Sequence, residues 1–545
     1  MYNDLELFFN KQHRIINANY SKEYIKKNGI FLTHDLKILD DLIQFLFETY
    51  QENEILNLKF LEPSVGTGNI IIYFIQVLKN MNVSIDKIIN FVENNIFINE
   101  LDNSILSIAV KNIENYFSNI FGKKIKLKHI YNIDFTDKEK ISSTFINKFD
   151  VILGNPPFVS LYGKNGITKT EETRKKIINE YTQFPNSIIN GKINISMLFI
   201  ENSLSLLNDN GILSFILDSS FFDKPFYFTR KFIYQNWNVH SLFFNYFNFM
   251  SVYSGQIIIN INKKSNNAKL VDIKNNTFFY IENESIIKND YIIPLKNPKN
   301  HIDILKKIYN KSKPLKELYN KKIIRTGTML LNMENEFVNK KCDKNSYVYY
   351  KGSKSLPRSF ELNEIGLFFT YDKEKQNKIN DSIKHELTLK GIKNKKRIGF
   401  GEKEIYDNPK IFIRQSANNL IAAFDDKKSS CDNSLYIISF RSNFINDTRE
   451  LKFLVGYLNS EIANYYARLK IIKLIHGKQP QMRISDFINI PICYDENIKE
   501  KIIDMVDIII KNPTKKNKII NDINVLLYKF YELNNEKEIT QIRSL

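Results

Sequence analysis

The chain of 545 residues is poor in cysteine, with only Cys342, Cys431 and Cys493, far apart. That spacing excludes a disulfide framework and a cysteine zinc site, so no metal is expected, and it fits a reducing, cytoplasmic compartment. Long apolar runs are missing too. No stretch reaches the roughly 18 uncharged apolar residues that a membrane-spanning helix needs, and no membrane partner is expected. A basic leader is absent, since the opening MYNDLELFF is acidic and does not read as a secretory signal. Tryptophan occurs once, and arginine is scarce beside lysine, asparagine and isoleucine. AT-rich coding alone leaves such a bias.

A hydrophobic share of 43% can fill sizeable cores, and the length calls for two or more domains. The net charge of +18 is unevenly spread. Residues 1–265 carry 28 Lys+Arg against 26 Asp+Glu, and residues 266–545 carry 50 against 34. Codon bias acts evenly along a chain. A near-neutral front and a basic back therefore point to a chemistry domain joined to a domain that grips a polyanion.

The front half alternates strand-like and helix-like segments. Strands are predicted over Lys59–Leu61, ending near Asn99, before Asp134, and over Phe149–Gly154, Ile212–Leu217 and Ile257–Ile261. Helices are predicted over Asn69–Leu78 and Ser104–Phe117, with an amphipathic one over Ile193–Leu207 that ends at the turn 209–211. This is an α/β pattern with a mostly parallel sheet, whose ligands sit outside the carboxyl ends of the strands. The polar run Lys263–Asn267 closes that unit. Short β-like runs between charged loops then continue to about residue 490, with Lys393–Arg397 the densest basic cluster. From Glu496 the tail reads as one or two lysine-rich helices.

Four signals carry chemistry. In Phe60-Leu-Glu62-Pro-Ser-Val-Gly66-Thr-Gly68-Asn69 a strand runs through a glycine turn into a helix, which lets backbone approach a ligand closely or pack tightly. Glu100, at the end of the second strand, can accept both hydroxyls of a ribose, while Asp102 can cap the next helix. Asp134-Phe135 can bond and stack an adenine, or form a plain turn. Asn155-Pro156-Pro157-Phe158 ends the fourth strand. Its prolines remove two donors, so the Asn155 side-chain carbonyl and the Pro156 carbonyl can accept the two hydrogens of an exocyclic amine. Positive charge building on that nitrogen would be favoured there, and Phe158 can stack on the ring.

The set resembles the γ-class, Taq-type N6-adenine DNA methyltransferases with a C-terminal target-recognition domain. The resemblance implies a Rossmann-like S-adenosylmethionine-dependent domain, a mixed α/β recognition domain and C-terminal helices. It divides the chain into a catalytic domain at 1–265, a linker and connecting helix at 266–312, and a specificity domain at 313–545. Gly29-Ile-Phe-Leu-Thr33-His34 is similar to the family's first cofactor motif, with Thr33 near the methionine moiety. Glu62, Gly66 and Gly68 match the glycine loop, Glu100 the ribose acid, Asp134 and Phe135 the adenine contact, and Asn155–Phe158 the catalytic box. Phe249, with Phe247 competing, matches the aromatic behind a flipped base. His34 stands where proline is common, Asn194 where aspartate is usual, and Asp218 where proline is usual.

Further back, Ile323–Thr328, Pro409–Gln415, Asp432–Tyr436, Leu454–Ser460, Ile484–Phe487 and Ile490–Pro491 resemble Taq-type specificity domains. Arg325, Arg358, Arg397 and Arg414 are candidates for guanine or phosphate contacts. The implied reaction puts a methyl group from S-adenosylmethionine on the N6 amine of an adenine flipped from duplex DNA. The enzyme would be an orphan or restriction-linked one, with a cognate restriction endonuclease as a candidate partner, and a monomer suffices on asymmetric DNA. The loop-rich segment Val159–Gly191 is expected to order on DNA. Rival readings are an RNA or protein-glutamine methyltransferase and a non-catalytic DNA-binding subunit. A cytosine C5 enzyme fails, because no cysteine lies near the cofactor sheet. Only 28 residues precede Gly29, too few for an appended nuclease domain.

Overall fold

The computed structural model describes the chain apart from residues 1, 22–32, 147, 160–170, 185–192, 247–254, 320–322, 344–345, 390–397, 441–447 and 473–479. Gly29–Leu32, Phe247, Phe249, Arg397 with the Lys393–Arg397 cluster, and most of the Val159–Gly191 loop therefore lie outside the described residues. The rest divides into two compact units between Asn297 and Pro298. Among the described residues no helix is long and apolar enough to cross a membrane.

The first unit is built on nine strands: β1 (Phe60–Glu62), β2 (Ile96–Asn99), β3 (His129–Tyr131), β4 (Phe149–Gly154), β5 (Leu207–Asp218), β6 (Asn238–Phe244), β7 (Gln256–Asn262), β8 (Asn267–Asp272) and β9 (Thr277–Glu282). Their order across the sheet is β3-β2-β1-β4-β5-β7-β6-β8-β9. The first five are parallel, β7 runs antiparallel to β5 and β6, and β9 runs antiparallel to β8. Successive side chains of a strand point to opposite faces. Ile257, Ile259 and Ile261 of β7 accordingly enter one core and Ile258 the other. Helices Leu36–Thr49, Asn69–Asn80 and Asn103–Phe121 cover one face, and Ile195–Leu206 and Tyr227–Asn236 the other. This is the Rossmann-like arrangement, and β1, β2 and β4 bring their carboxyl ends together beside the central crossover.

The sheet does not stop at Lys263–Asn267. That run turns the chain into β8, which pairs in parallel with β6, so the compact unit ends at Asn297 rather than near residue 265. Helix Ile195–Leu206 is buried on nearly every side instead of amphipathic, and within the expected loop a helix forms over Glu171–Glu180. A strand was not expected over Asn238–Phe244; it runs between β7 and β8, and its residues are mostly buried.

The second unit sets two four-stranded sheets around a shared core. Ile324–Thr326, Leu435–Ile438, Lys410–Arg414 and Ala422–Asp425 form one sheet, and Val338–Asn339, Phe368–Thr370, Ser346–Tyr350 and Ser429–Cys431 the other. Phe412, Leu435 and Ile437 of the first meet Tyr347, Tyr349 and Phe369 of the second. The opposite face of the first sheet, Ile411, Ile413 and Ile438, packs on helices Thr448–Leu458, Glu461–Lys470, Glu496–Lys511 and Lys516–Phe530. Helix Lys373–Leu389 and the helices from Thr448 onward thus lie inside the stretch expected to be β-like, and the tail holds three rather than one or two, ending with Glu536–Arg543.

Candidate active site

One cleft at the carboxyl ends of β1 and β4 is lined by Thr33, Glu62, Ser64, Val65, Gly66, Thr67, Asn69, Ile70 and Asn155. The turn after β1 is shaped by glycine. Gly66 has φ 54° and Gly68 φ 85°, the left-handed region that costs a side chain about 1–2 kcal/mol. A Cβ on Gly68 would also lie 2.9 Å from Ile113 Cγ1 and 3.3 Å from the Ala109 carbonyl. Gly68 therefore serves close packing of the loop on helix Asn103–Phe121, whereas Gly66 shapes the cleft. Gly68→Ala is expected to destabilise the first unit by about 2–3 kcal/mol, from the φ penalty plus overpacking. A melting temperature equal to the parent's would refute that reading of the loop.

Amide side chains hold the loop in place. The Val65 amide donates to the Asn99 carbonyl at 2.9 Å, and Asn99 Nδ2 donates to the carbonyls of Pro63 and Ile133 at 3.0 and 3.1 Å. Asn112 Nδ2 donates to the Thr67 carbonyl at 3.0 Å. Asn69 Nδ2 donates to the Thr33 carbonyl at 2.8 Å, and Asn155 Nδ2 to Thr33 Oγ1 at 3.1 Å. Thr33 thus ties the glycine loop to the Asn-Pro-Pro-Phe box across more than a hundred residues of chain. Sequence reasoning named Thr33, Glu62 and Asn155 but missed Asn69, Asn99 and Asn112. In so asparagine-rich a chain, individual asparagines carry no signal; only their place at strand and helix ends separates them.

Two acids meet beside the loop. Glu62 is 1% exposed, and its Oε2 has no hydrogen-bond partner among the described residues. Burial first, then the charge of Glu100, holds its carboxyl well above the ordinary carboxylate range. Glu100 is also raised by burial, opposed by backbone amides. Its Oε2 accepts from the Gly66 amide at 3.0 Å and its Oε1 from the Leu101 amide at 2.9 Å. A buried carboxyl oxygen lacking a partner among the described residues, in a cleft beside the glycine turn, fits a ligand that brings hydrogen-bond donors and positive charge. S-adenosylmethionine, with its α-ammonium and sulfonium, is of that kind.

Other residues are placed as follows. Asp102 caps helix Asn103–Phe121, accepting from the Ser104 and Ile105 amides. Asp134 Oδ1 accepts from the Thr136 amide and hydroxyl at 2.9 and 2.7 Å. The Phe135 ring, expected beside an adenine, follows in the same turn. It is 2% exposed and packs on Phe199 at 5.0 Å, because the turn that carries it folds over the core. Asn202, which donates to the Phe135 carbonyl and to Tyr181 Oη, pins that turn. Asn194 caps helix Ile195–Leu206, a task asparagine and aspartate share, and Asp218 caps the turn Ser219–Phe222. Of the three departures noted in the sequence, Asn194 and Asp218 thus serve as caps. Pro156 is buried, and Pro157 and Phe158 are half-buried, Phe158 against the core on the Asn69–Asn80 side of the sheet.

In the second unit, strand register puts Arg325 and Arg414 on the sheet face of Phe412 and Ile437. Both are half-buried, with Arg414 Nη2 donating to the Ser416 carbonyl at 3.0 Å and Arg325 beside Gly401. Arg358 is exposed on a separate loop.

Comparison with known proteins agrees with this division. Residues 74–249 match the Eco57I restriction-modification methylase family, and residues 347–492 the TaqI-like C-terminal specificity domain. The Escherichia coli type II restriction enzyme and methyltransferase RM.Eco57I is 25% identical over 277 residues, covering 46% of this chain and 26% of its own. The match thus spans about a quarter of that curated relative. Among solved structures, the type IIL restriction-modification enzyme MmeI, in complex with DNA, has a TM-score of 0.63 at 14% identity, covering 99% of this chain and 82% of its own. A nuclease-deletion mutant of the type ISP enzyme LlaGI, with a DNA substrate mimic, has 0.55 at 14% identity, covering 91% and 48%. The DrdV–DNA complex has 0.53 at 13%, covering 85% and 55%. At such identities the likeness is one of fold.

Proposed function

We propose, for a chain that joins an Eco57I-type restriction-modification methylase segment to a TaqI-like specificity domain, a site-specific DNA methyltransferase that transfers a methyl group from S-adenosylmethionine to the N6 amine of adenine. The observation that carries this reading is the hydrogen bond from Asn155 Nδ2 to Thr33 Oγ1, which orients the Asn-Pro-Pro-Phe box beside the glycine cleft. S-adenosylmethionine supplies an electrophilic methyl carbon. The chain's own groups do the rest. Donation to Thr33 sets the rotation of the Asn155 amide, making its oxygen the half that can accept from an amine. The Pro156 carbonyl, on a residue without a donor, can accept the second hydrogen. Both dipoles favour the positive charge that grows on nitrogen as the new C–N bond forms and the C–S bond breaks, and the nitrogen then sheds its proton to water. The adenine must leave the duplex to reach this box, and Phe158 offers a face on which it can stack.

Arg325, Arg358, Arg397 and Arg414 are proposed to grip phosphates or read bases, and Phe249 to back the flipped ring. Incubating the purified protein with methyl-labelled S-adenosylmethionine and duplex DNA tests the reading. Label recovered as N6-methyladenine supports it, whereas label confined to RNA or to protein would replace it with another acceptor.

Glu62 makes the cofactor site pH-dependent. Because its folded-state carboxyl titrates well above the ordinary range, the stability it allows is present in acid and lost as pH rises through the raised value. Glu62→Gln should therefore melt above the parent on the alkaline side and alongside it in acid. A cationic ligand favours the ionised form, so affinity for S-adenosylmethionine should rise with pH over that window, with release of a proton. Calorimetry in two buffers of different ionisation enthalpy reads that proton. The same heat in both would contradict the assignment.

A further inference from the structure

The two edges of the nine-stranded sheet are built differently. At one edge β3 spans only three residues and follows Lys123, Lys124, Lys126 and Lys128, the short, lysine-flanked form that blocks edge-to-edge pairing. At the other, β9 spans six, and Thr277–Ile281 contains neither charge nor proline. The outer side of β9 pairs with no strand among the described residues. Phe279 and Ile281 turn inward against the core, while Phe278 and Tyr280 stand on the opposite face, 60% and 56% exposed. Their rings meet edge to face at 5.8 Å, and Lys269 Nζ lies 5.3 Å from the Phe278 ring centroid.

We infer that β9 is a pairing edge for a second copy of this chain, joined antiparallel about a two-fold axis at Phe279. That register sets Phe278 opposite Tyr280 of the second copy, and Tyr280 opposite its Phe278. Directly opposed aromatic pairs are among the favourable ones across antiparallel strands. It also brings Lys274, in the turn before β9, to the end of the other strand where Glu282 and Glu284 stand. Lys274 stands at one end of β9 and Glu282 at the other, where Glu284 is already paired with Lys288 at 2.7 Å, so the edge complements itself through Lys274 and Glu282 when reversed. A nucleic acid would find those carboxylates repulsive. Each outward N–H and C=O gains a partner as well. One strand pair falls short of the roughly 1,000 Å² of a stable interface, so the association is weak and concentration-dependent. It does not depend on the methyl-transfer reading.

Sedimentation of the full chain over a concentration series tests this. The weight-average mass should climb from 64.3 kDa towards twice that value as concentration rises. Tyr280→Lys and Lys274→Glu should each hold the protein at the monomer mass with an unchanged far-ultraviolet spectrum. Lys274→Glu combined with Glu282→Lys and Glu284→Lys should restore association; as these positions are exposed, misfolding does not confound that variant. A monomer at every concentration overturns the inference. So does a dimer that Lys274→Glu and Tyr280→Lys leave intact, or loss of DNA affinity in Tyr280→Lys from a parent that is always monomeric.

Discussion

Asn155→Ala is expected to lower the rate of methyl transfer by roughly three orders of magnitude, the scale on which a preorganised hydrogen-bonding group acts at a transition state. Cofactor affinity should change little. The substitution removes the hydrogen bond to Thr33 Oγ1, worth about 1 kcal/mol, while the glycine turn, Glu62 and the Asn69–Thr33 contact stay in place. DNA affinity should persist, since no contact of the second unit is touched. The diagnostic pattern is a collapse of single-turnover rate with dissociation constants held within about tenfold. A variant that turns over at the parent's rate would remove the Asn-Pro-Pro-Phe box from the mechanism. One that loses cofactor affinity in step with rate would make Asn155 a residue that holds the cofactor rather than the reacting amine.

Separating the units at Asn297/Pro298 should abolish site preference while leaving cofactor binding. Each unit has cores of its own. Two cores flank the nine-stranded sheet, formed by residues 5–293, and two more, formed by residues 304–542, belong to the second unit. The first unit alone is therefore expected to fold and to bind S-adenosylmethionine. Its discrimination between specific and unrelated DNA, ordinarily a factor of about 10³ or more, should fall to near one. Electrophoretic titration of the full chain and of residues 1–297 against matched oligonucleotides would show it, and site preference retained by residues 1–297 would place base reading in the first unit.

Most of the strands of the first unit could be read along the chain, and the Asn-Pro-Pro-Phe motif stands out there, because both are local. Phe149–Gly154 is a short apolar run, and two prolines after an asparagine leave little freedom. Asp102 was legible as a cap for the same reason. What could not be read is made by tertiary partners. β6 is only partly apolar, so its assignment as a strand depends on β7 and β8 on either side. The polar run after β7 looked like a boundary because a tight turn and a linker share composition. Sequence does not say which way the Phe135 ring turns; packing on Phe199 sets it against the core. Helices Thr448–Leu458 and Glu461–Lys470 are buried against a sheet, and their aromatic, β-branched content resembles strand until that packing is seen. The asparagine clamps at 69, 99 and 112 are invisible for the reverse reason, hidden among the many other asparagines of the chain.

The most direct test is to express the protein in a methylation-deficient host and sequence the native DNA for modified bases. N6-methyladenine at one short motif, absent when Asn155→Ala is expressed instead, is the predicted result. Unmodified DNA from a host containing protein that binds S-adenosylmethionine would contradict it and move the acceptor to RNA or protein.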